Sequence, residues 1–110
     1  MDTKRAFEIE KIIAKFLGWK RIAFSGAKWF AKEDIESEIY LGQVKATEGY
    51  TIKIDSRDIR KLEDNACKYK KKPVFIIHFD NDTPVNSTWC LVPIKYFKKI
   101  KEKEEAINED

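Results

Sequence analysis

The sequence predicts a single α/β domain, a mixed five-stranded sheet flanked by helices in the order αβββαββα. Three observations predict it. Ile9, Ile12, Ile13, Phe16 and Leu17 recur at helical spacing near the N-terminus. The run from Pro73 to Phe79 is almost continuously apolar, the pattern of a strand buried on both faces. Between that run and an earlier strand lies an amphipathic helix, and strand, helix, strand implies a right-handed crossover within one sheet.

The elements follow in order. The first helix begins near Thr3 and is stopped by Gly18. Trp19 to Ser25 is short and apolar and ends at Ser25-Gly26, which reads as a strand entering a loop that carries Lys28, Trp29 and Lys32. Asp34 to Glu38 and Ile39 to Thr47 read as two strands joined by a tight turn, with β-branched and aromatic residues among polar ones. Asp55 or Ser56 can cap the next helix, in which Ile59, Leu62, Ala66 and Tyr69 form one stripe, and the helix stops before Pro73. After the apolar strand, Asp80 to Asn86 reads as a loop, Thr88 to Val92 as a strand, and Ile94 to about Ala106 as a final helix. The core is expected over residues 4–97, with 98–110 as a charged helix or tail of the same single domain.

A chain of 110 residues with 43% hydrophobic and 37% charged residues can close one core but not two. Three Trp, four Tyr and seven Phe argue against disorder. No apolar run is long enough to cross a bilayer, and Asp2, Glu8 and Glu10 interrupt any secretory pattern, so a soluble, cytoplasmic protein is expected. Cys67 and Cys90 are then expected to be reduced, buried thiols. A net charge of +3 is by itself a weak pointer to a polyanionic partner. From Arg57 to Lys72, however, seven bases face three acids, which suits a phosphate backbone as well as a solvated helix face.

Strand geometry puts Gln43 and Lys45 on one face, with Val44 on the other. If the preceding strand forms a hairpin with theirs, Asp34 reaches the same face. A carboxylate, an amide oxygen and an ammonium beside an apolar sheet suit phosphodiester hydrolysis. There a divalent cation polarises the phosphoryl oxygen and lowers the pKa of the attacking water. Mg²⁺ needs only one or two carboxylates plus waters and phosphate oxygens, and a lysine supplies a point charge for the developing negative charge.

Asp34 followed by Gln43-Val44-Lys45 resembles the signature of the PD-(D/E)xK nuclease superfamily, an Asp before an (E/Q)xK strand. Glu10 to Gly18, then Arg21-Ile22 and Ser25-Gly26-Ala27, resembles the opening of archaeal and phage Holliday-junction resolvases. Arg57 to Leu62 and Lys72 to Phe79 resemble the helix and strand that follow the catalytic hairpin in those enzymes, so the likeness spans about residues 8 to 80. The resemblance implies a restriction-endonuclease-like fold and a Mg²⁺-dependent endonuclease, with Mn²⁺ as a substitute metal. It also implies a homodimer acting on four-way DNA junctions in recombination and repair. Carried over by position, Glu10, Asp34 and Gln43 hold the metal and Lys45 is the catalytic lysine. Glu8 is the fallback for Glu10, since the two lie about 200° apart around a helix and cannot both point into one site. Gln43 departs from the usual Glu and removes one negative charge, for which Glu36 and Glu38 are candidates to compensate.

Plainer alternatives stand beside these assignments. Glu10 is equally a solvated helix acid, and Asp34 with Lys45 an ordinary cross-strand ion pair. Ser25 and Lys28 suit either a phosphate contact or a plain turn, and Arg57, Arg60 and Lys61 either DNA backbone or solvent. Trp29 reads as a packing aromatic before a base-stacking one, and His78 as a hydrogen-bonded core histidine before a metal ligand. Three other functions remain open: a nuclease for another DNA form, of repair or restriction type, a DNA-binding module of the same fold without catalysis, and a structural protein.

Overall fold

A computed structural model describes residues 1–22, 34–81 and 87–108. Helix α1 (Thr3–Leu17) starts where the Asp2 carboxylate accepts the Arg5 N–H at 2.8 Å. It ends at Gly18, whose φ of 73° is left-handed and therefore suited to glycine. Strands β1 (Lys20–Arg21), β2 (Ile35–Glu36) and β3 (Tyr40–Thr47) follow, then α2 (Ser56–Lys68), β4 (Lys72–Phe79), β5 (Thr88–Leu91) and α3 (Ile94–Asn108). The order αβββαββα is the one the sequence predicts.

The five strands form one sheet in the order β1-β2-β3-β4-β5. Only β3 and β4 are parallel, and α2 is the crossover that joins them. Side-chain alternation then divides the core into two layers. On one face Ile9, Ile13 and Ala14 of α1 pack on Ile35, Val74 and Ile76. On the other, Leu62 and Ala66 of α2 pack on Leu41 and Phe75. Strand β4 feeds both layers, which is why its sequence is apolar without alternation. Asp55 is the α2 cap, accepting the Arg57 N–H at 2.8 Å.

Four expectations are corrected. The buried stripe of α1 is Ile9, Ile13 and Ala14, whereas Ile12, Phe16 and Leu17 are exposed, because the helix meets the sheet along a band narrower than its apolar face. Tyr69 caps α2 from an exposed position instead of joining its buried stripe. Cys67 and Cys90 are free thiols as expected but both are exposed, Cys67 on α2 and Cys90 on β5. Within the strand expected over Trp19 to Ser25, β1 covers only Lys20–Arg21, and residues 23–25 lie outside the described residues. Among the described residues, no helix is long and apolar enough to cross a membrane.

Gly42 on β3 is a packing requirement that the sequence does not advertise. A Cβ there would sit 3.0 Å from Ile35 Cγ1 and 3.2 Å from Trp19 Cζ3, and Trp19 is itself fixed by stacking on Tyr40 at 5.4 Å. Gly42→Ala is therefore expected to destabilise the fold by about 1–3 kcal/mol through overpacking. Urea unfolding would measure it, and an unchanged midpoint would show that the Trp19 side gives way freely.

Candidate active site

The short β2 strand determines how Asp34 is held. Ile35 pairs with Gly42 and Glu36 with Leu41, so β3 runs on past the end of β2. Asp34 N–H still donates to the Gly42 carbonyl at 2.9 Å, and the next donor on that edge of β3 is the Val44 N–H. Asp34 supplies its acceptor, with Oδ2 2.8 Å from Val44 N. The carboxylate thus lies against the β3 backbone between Gln43 and Lys45. Ile35 belongs to the α1 layer and Leu41 to the α2 layer, so alternation directs Gln43 and Lys45 to the α2 side, where Glu36 also lies.

Lys45 donates its ammonium to the Lys53 carbonyl in the loop before α2. Its charge helps to hold the Asp55 carboxyl below the usual range, after the larger effect of the hydrogen bonds from Arg57. An ammonium has three N–H donors, so one carbonyl leaves capacity for a water or a phosphate oxygen. Glu36, one of the two acids expected to compensate for Gln43, forms an ion pair with Lys71 at 3.4 Å. Glu38, the other, is exposed in the turn between β2 and β3.

Glu10 projects from α1, in the layer opposite α2, and burial raises its carboxyl pKa while the charge of Arg21 partly opposes that rise. Arg21 pairs with Ile35, and Ile22 N–H donates to the Asp34 carbonyl at 2.9 Å, so β1 links the Glu10 neighbourhood to Asp34. Glu8, the fallback for Glu10, is exposed and forms an ion pair with Arg5 at 3.2 Å. Among the described residues, no three or more His, Cys, Asp or Glu side chains form a metal-binding group. The oxygen donors on this stretch of the sheet are the Asp34 carboxylate, held at Val44 N, and the Gln43 amide one position before it. That pair suits a hard cation that completes its shell with water and phosphate oxygens.

The chain matches no family model, no curated protein and no solved structure.

On α2, Arg57 is clamped by Asp55, with Nη2 to Oδ2 at 2.7 Å and Nε to Oδ1 at 3.0 Å, while its side chain stays 84% exposed. Arg60 and Lys61 are exposed beside it. Ser25, Lys28, Trp29 and Lys32 lie outside the described residues.

One polar cluster is signalled in the sequence only by His78. His78, 1% exposed on β4, lies 2.8 Å from Thr88 Oγ1 and 3.3 Å from the Asp80 carboxylate. Asp80 in turn receives two bonds from Arg5 of α1, Nε to Oδ2 and Nη2 to Oδ1, both 2.8 Å. His78 is a hydrogen-bonded core residue, as its apolar context suggests. Arg5 and Asp80, 75 positions apart, have no sequence pattern to connect them.

Proposed function

We propose that the chain is a metal-dependent endodeoxyribonuclease that hydrolyses phosphodiester bonds in branched DNA, four-way junctions above all. The observation that supports this reading is the Asp34 carboxylate accepting the Val44 N–H of β3, the strand on which Gln43 and Lys45 share one face. Phosphate chemistry uses all three side-chain types, a carboxylate, an amide oxygen and an ammonium. Asp34 and Gln43 hold Mg²⁺ or Mn²⁺, and the metal when bound supplies Lewis acidity and a more acidic water. Lys45 orients the attacking water or offsets charge on the phosphate. The exposed Arg57, Arg60 and Lys61, together with Ser25 and Lys28, follow the DNA backbone. Two copies acting together match the two-fold symmetry of a four-way junction.

The assay compares a labelled four-way junction with linear duplex in Mg²⁺, Mn²⁺ or EDTA. Paired nicks confined to the junction and abolished by EDTA are the expected result. Cutting of duplex at an equal rate would indicate a nuclease of repair or restriction type instead.

Gln43 favours a second reading, a DNA-binding module of this fold that no longer cuts. An amide oxygen is a weaker ligand than a carboxylate, and the ion pair of Glu36 with Lys71 limits compensation from β2. Gln43→Glu therefore separates the two. For an enzyme it is expected to lower the Mg²⁺ concentration needed for half-maximal cutting, read from a metal titration at fixed junction. A wild-type protein that binds junctions without cutting, and cuts once Gln43 is Glu, would establish the module.

A further inference from the structure

Helix α3 is built unlike the other two. Of residues 94–107, all but Tyr96 are exposed, and no residue of α3 enters either core layer. Yet it is not a polar helix. Ile94 is 84% exposed, Phe97 56%, Ile100 43% and Ile107 75%. Phe97, Ile100 and Ile107 fall within about 80° of the helix circumference, which makes one stripe. Left in water, such a stripe adds nothing to stability, because its apolar area is never removed from solvent.

The charges of α3 are equally out of keeping with a solitary helix. Lys95, Lys98, Lys99 and Lys101 fill the first half, and Glu102, Glu104 and Glu105 dominate the second. A helix on its own favours acids at its N-terminus and bases at its C-terminus, and α3 has no acid in its first turn and no base in its last. Its internal ion pairs, Lys98 with Glu102 at 3.8 Å and Lys101 with Glu105 at 3.0 Å, run with lysine first, the weaker orientation. Near its start, the ammonium groups of Lys72, Lys95 and Lys99 stand 5.1, 5.1 and 5.9 Å from the Tyr96 ring centre. Among the described residues, none of these three lysines is in an ion pair.

We propose that α3 is a dimerisation helix that packs antiparallel on α3 of a second copy of this chain. Antiparallel pairing sets the basic half of each helix against the acidic half of the other, whereas parallel pairing would oppose like charges. It also brings Phe97 of each copy to Ile107 of the other, with the two copies of Ile100 between them. The arrangement is self-complementary, as a two-fold interface requires. A stable interface buries roughly 1,200 Å² or more. Trp89 and Leu91, exposed on β5 just before α3, are further apolar side chains available to such an interface. The inference gives a surface to the two-fold pairing of the nuclease reading.

The test is the mass of the full chain in solution without DNA, by light scattering after size exclusion. The expected mass is twice the 13.0 kDa of one chain. Phe97→Glu and Ile100→Glu should each give monomers with unchanged thermal unfolding in the monomeric range, since both side chains are exposed. A variant with Lys95, Lys98, Lys99 and Lys101 all changed to Glu should be monomeric alone. So should one with Glu102, Glu104 and Glu105 changed to Lys, and an equal mixture of the two should recover the dimer mass. With Cys67 and Cys90 changed to Ser, Phe97→Cys and Ile107→Cys chains should cross-link to each other and not to themselves. A monomeric wild-type chain, a dimer that survives Phe97→Glu, or self-cross-linking at position 97 would each overturn the proposal. Because no DNA is present, loss of the dimer leaves the nuclease reading standing, and a dimer that cuts nothing leaves this one standing.

Discussion

Replacing Lys45 by Ala is expected to lower metal-dependent cleavage of a four-way junction by about 10²–10³-fold, the usual loss when one preorganised charge is removed from a reacting phosphate. Junction binding should change little, because many phosphate contacts share the affinity and one lysine carries a small part of it. Asp34→Asn should be as inactive, and for a different reason. Asparagine can still accept the Val44 N–H that now bonds to Asp34 Oδ2 at 2.8 Å, so the β3 edge stays capped while the charge that attracts a cation is gone. Asp34→Ala removes the cap as well, and is expected to unfold more easily than Asp34→Asn by about 1 kcal/mol, the cost of losing the partner of a part-buried backbone donor. Single-turnover cleavage with urea unfolding of the three variants distinguishes the roles. Undiminished cutting by Lys45→Ala would remove that residue from the reaction.

The second large effect concerns stability. Asp80 joins α1 to the end of β4 through Nε and Nη2 of Arg5 and touches buried His78. The hydrogen bonds from Arg5, and less so that from His78, hold its carboxyl down from 3.8 to about 2. A carboxyl depressed on folding stabilises the fold above its unfolded value, and that stabilisation disappears as pH falls through the folded value. Asp80 should therefore contribute on the order of 2 kcal/mol at neutral pH, fading between about pH 4 and pH 2. Asp80→Asn is expected to unfold at lower urea than the wild type at pH 7, by about that amount. The difference should shrink toward zero by about pH 2. A gap constant across that range would mean that Asp80 acts by shape and neutral hydrogen bonding alone.

Much of the fold was legible because local signals and packing agree. Gly18 stops α1 by adopting a conformation that suits glycine, Asp55 caps α2, and the unbroken apolar run of β4 reflects layers on both sides. The misreadings came where composition says apolar and geometry says otherwise. Phe16 and Leu17 continue the α1 periodicity beyond the width of the sheet it covers, and no pattern in the chain shows where that contact ends. Ile94 and Phe97 of the final helix are exposed because α3 has no core layer beneath it.

At the candidate site, the shared face of Gln43 and Lys45 follows from strand periodicity alone. The approach of Asp34 needed only a hairpin. Its hydrogen bond to Val44 could not be foreseen, since it depends on β2 being two residues long and leaving a donor of β3 uncovered. Nor could the ion pair of Glu36 with Lys71, which joins residues 35 apart through the α2 crossover. Long-range polar contacts of this kind depend on where elements dock, and sequence spacing carries no record of that.

The central claim is that Asp34 and Gln43 hold a cation beside Lys45 when DNA is bound. Its most direct measurement is Mn²⁺ binding, followed by electron paramagnetic resonance, in the complex of a four-way junction with the Lys45→Ala protein, which retains the ligands but should not consume the DNA. Mn²⁺ taken up by that complex, and lost when Asp34→Asn is added, is the predicted result. Mn²⁺ bound equally with and without the Asp34 carboxylate would contradict it.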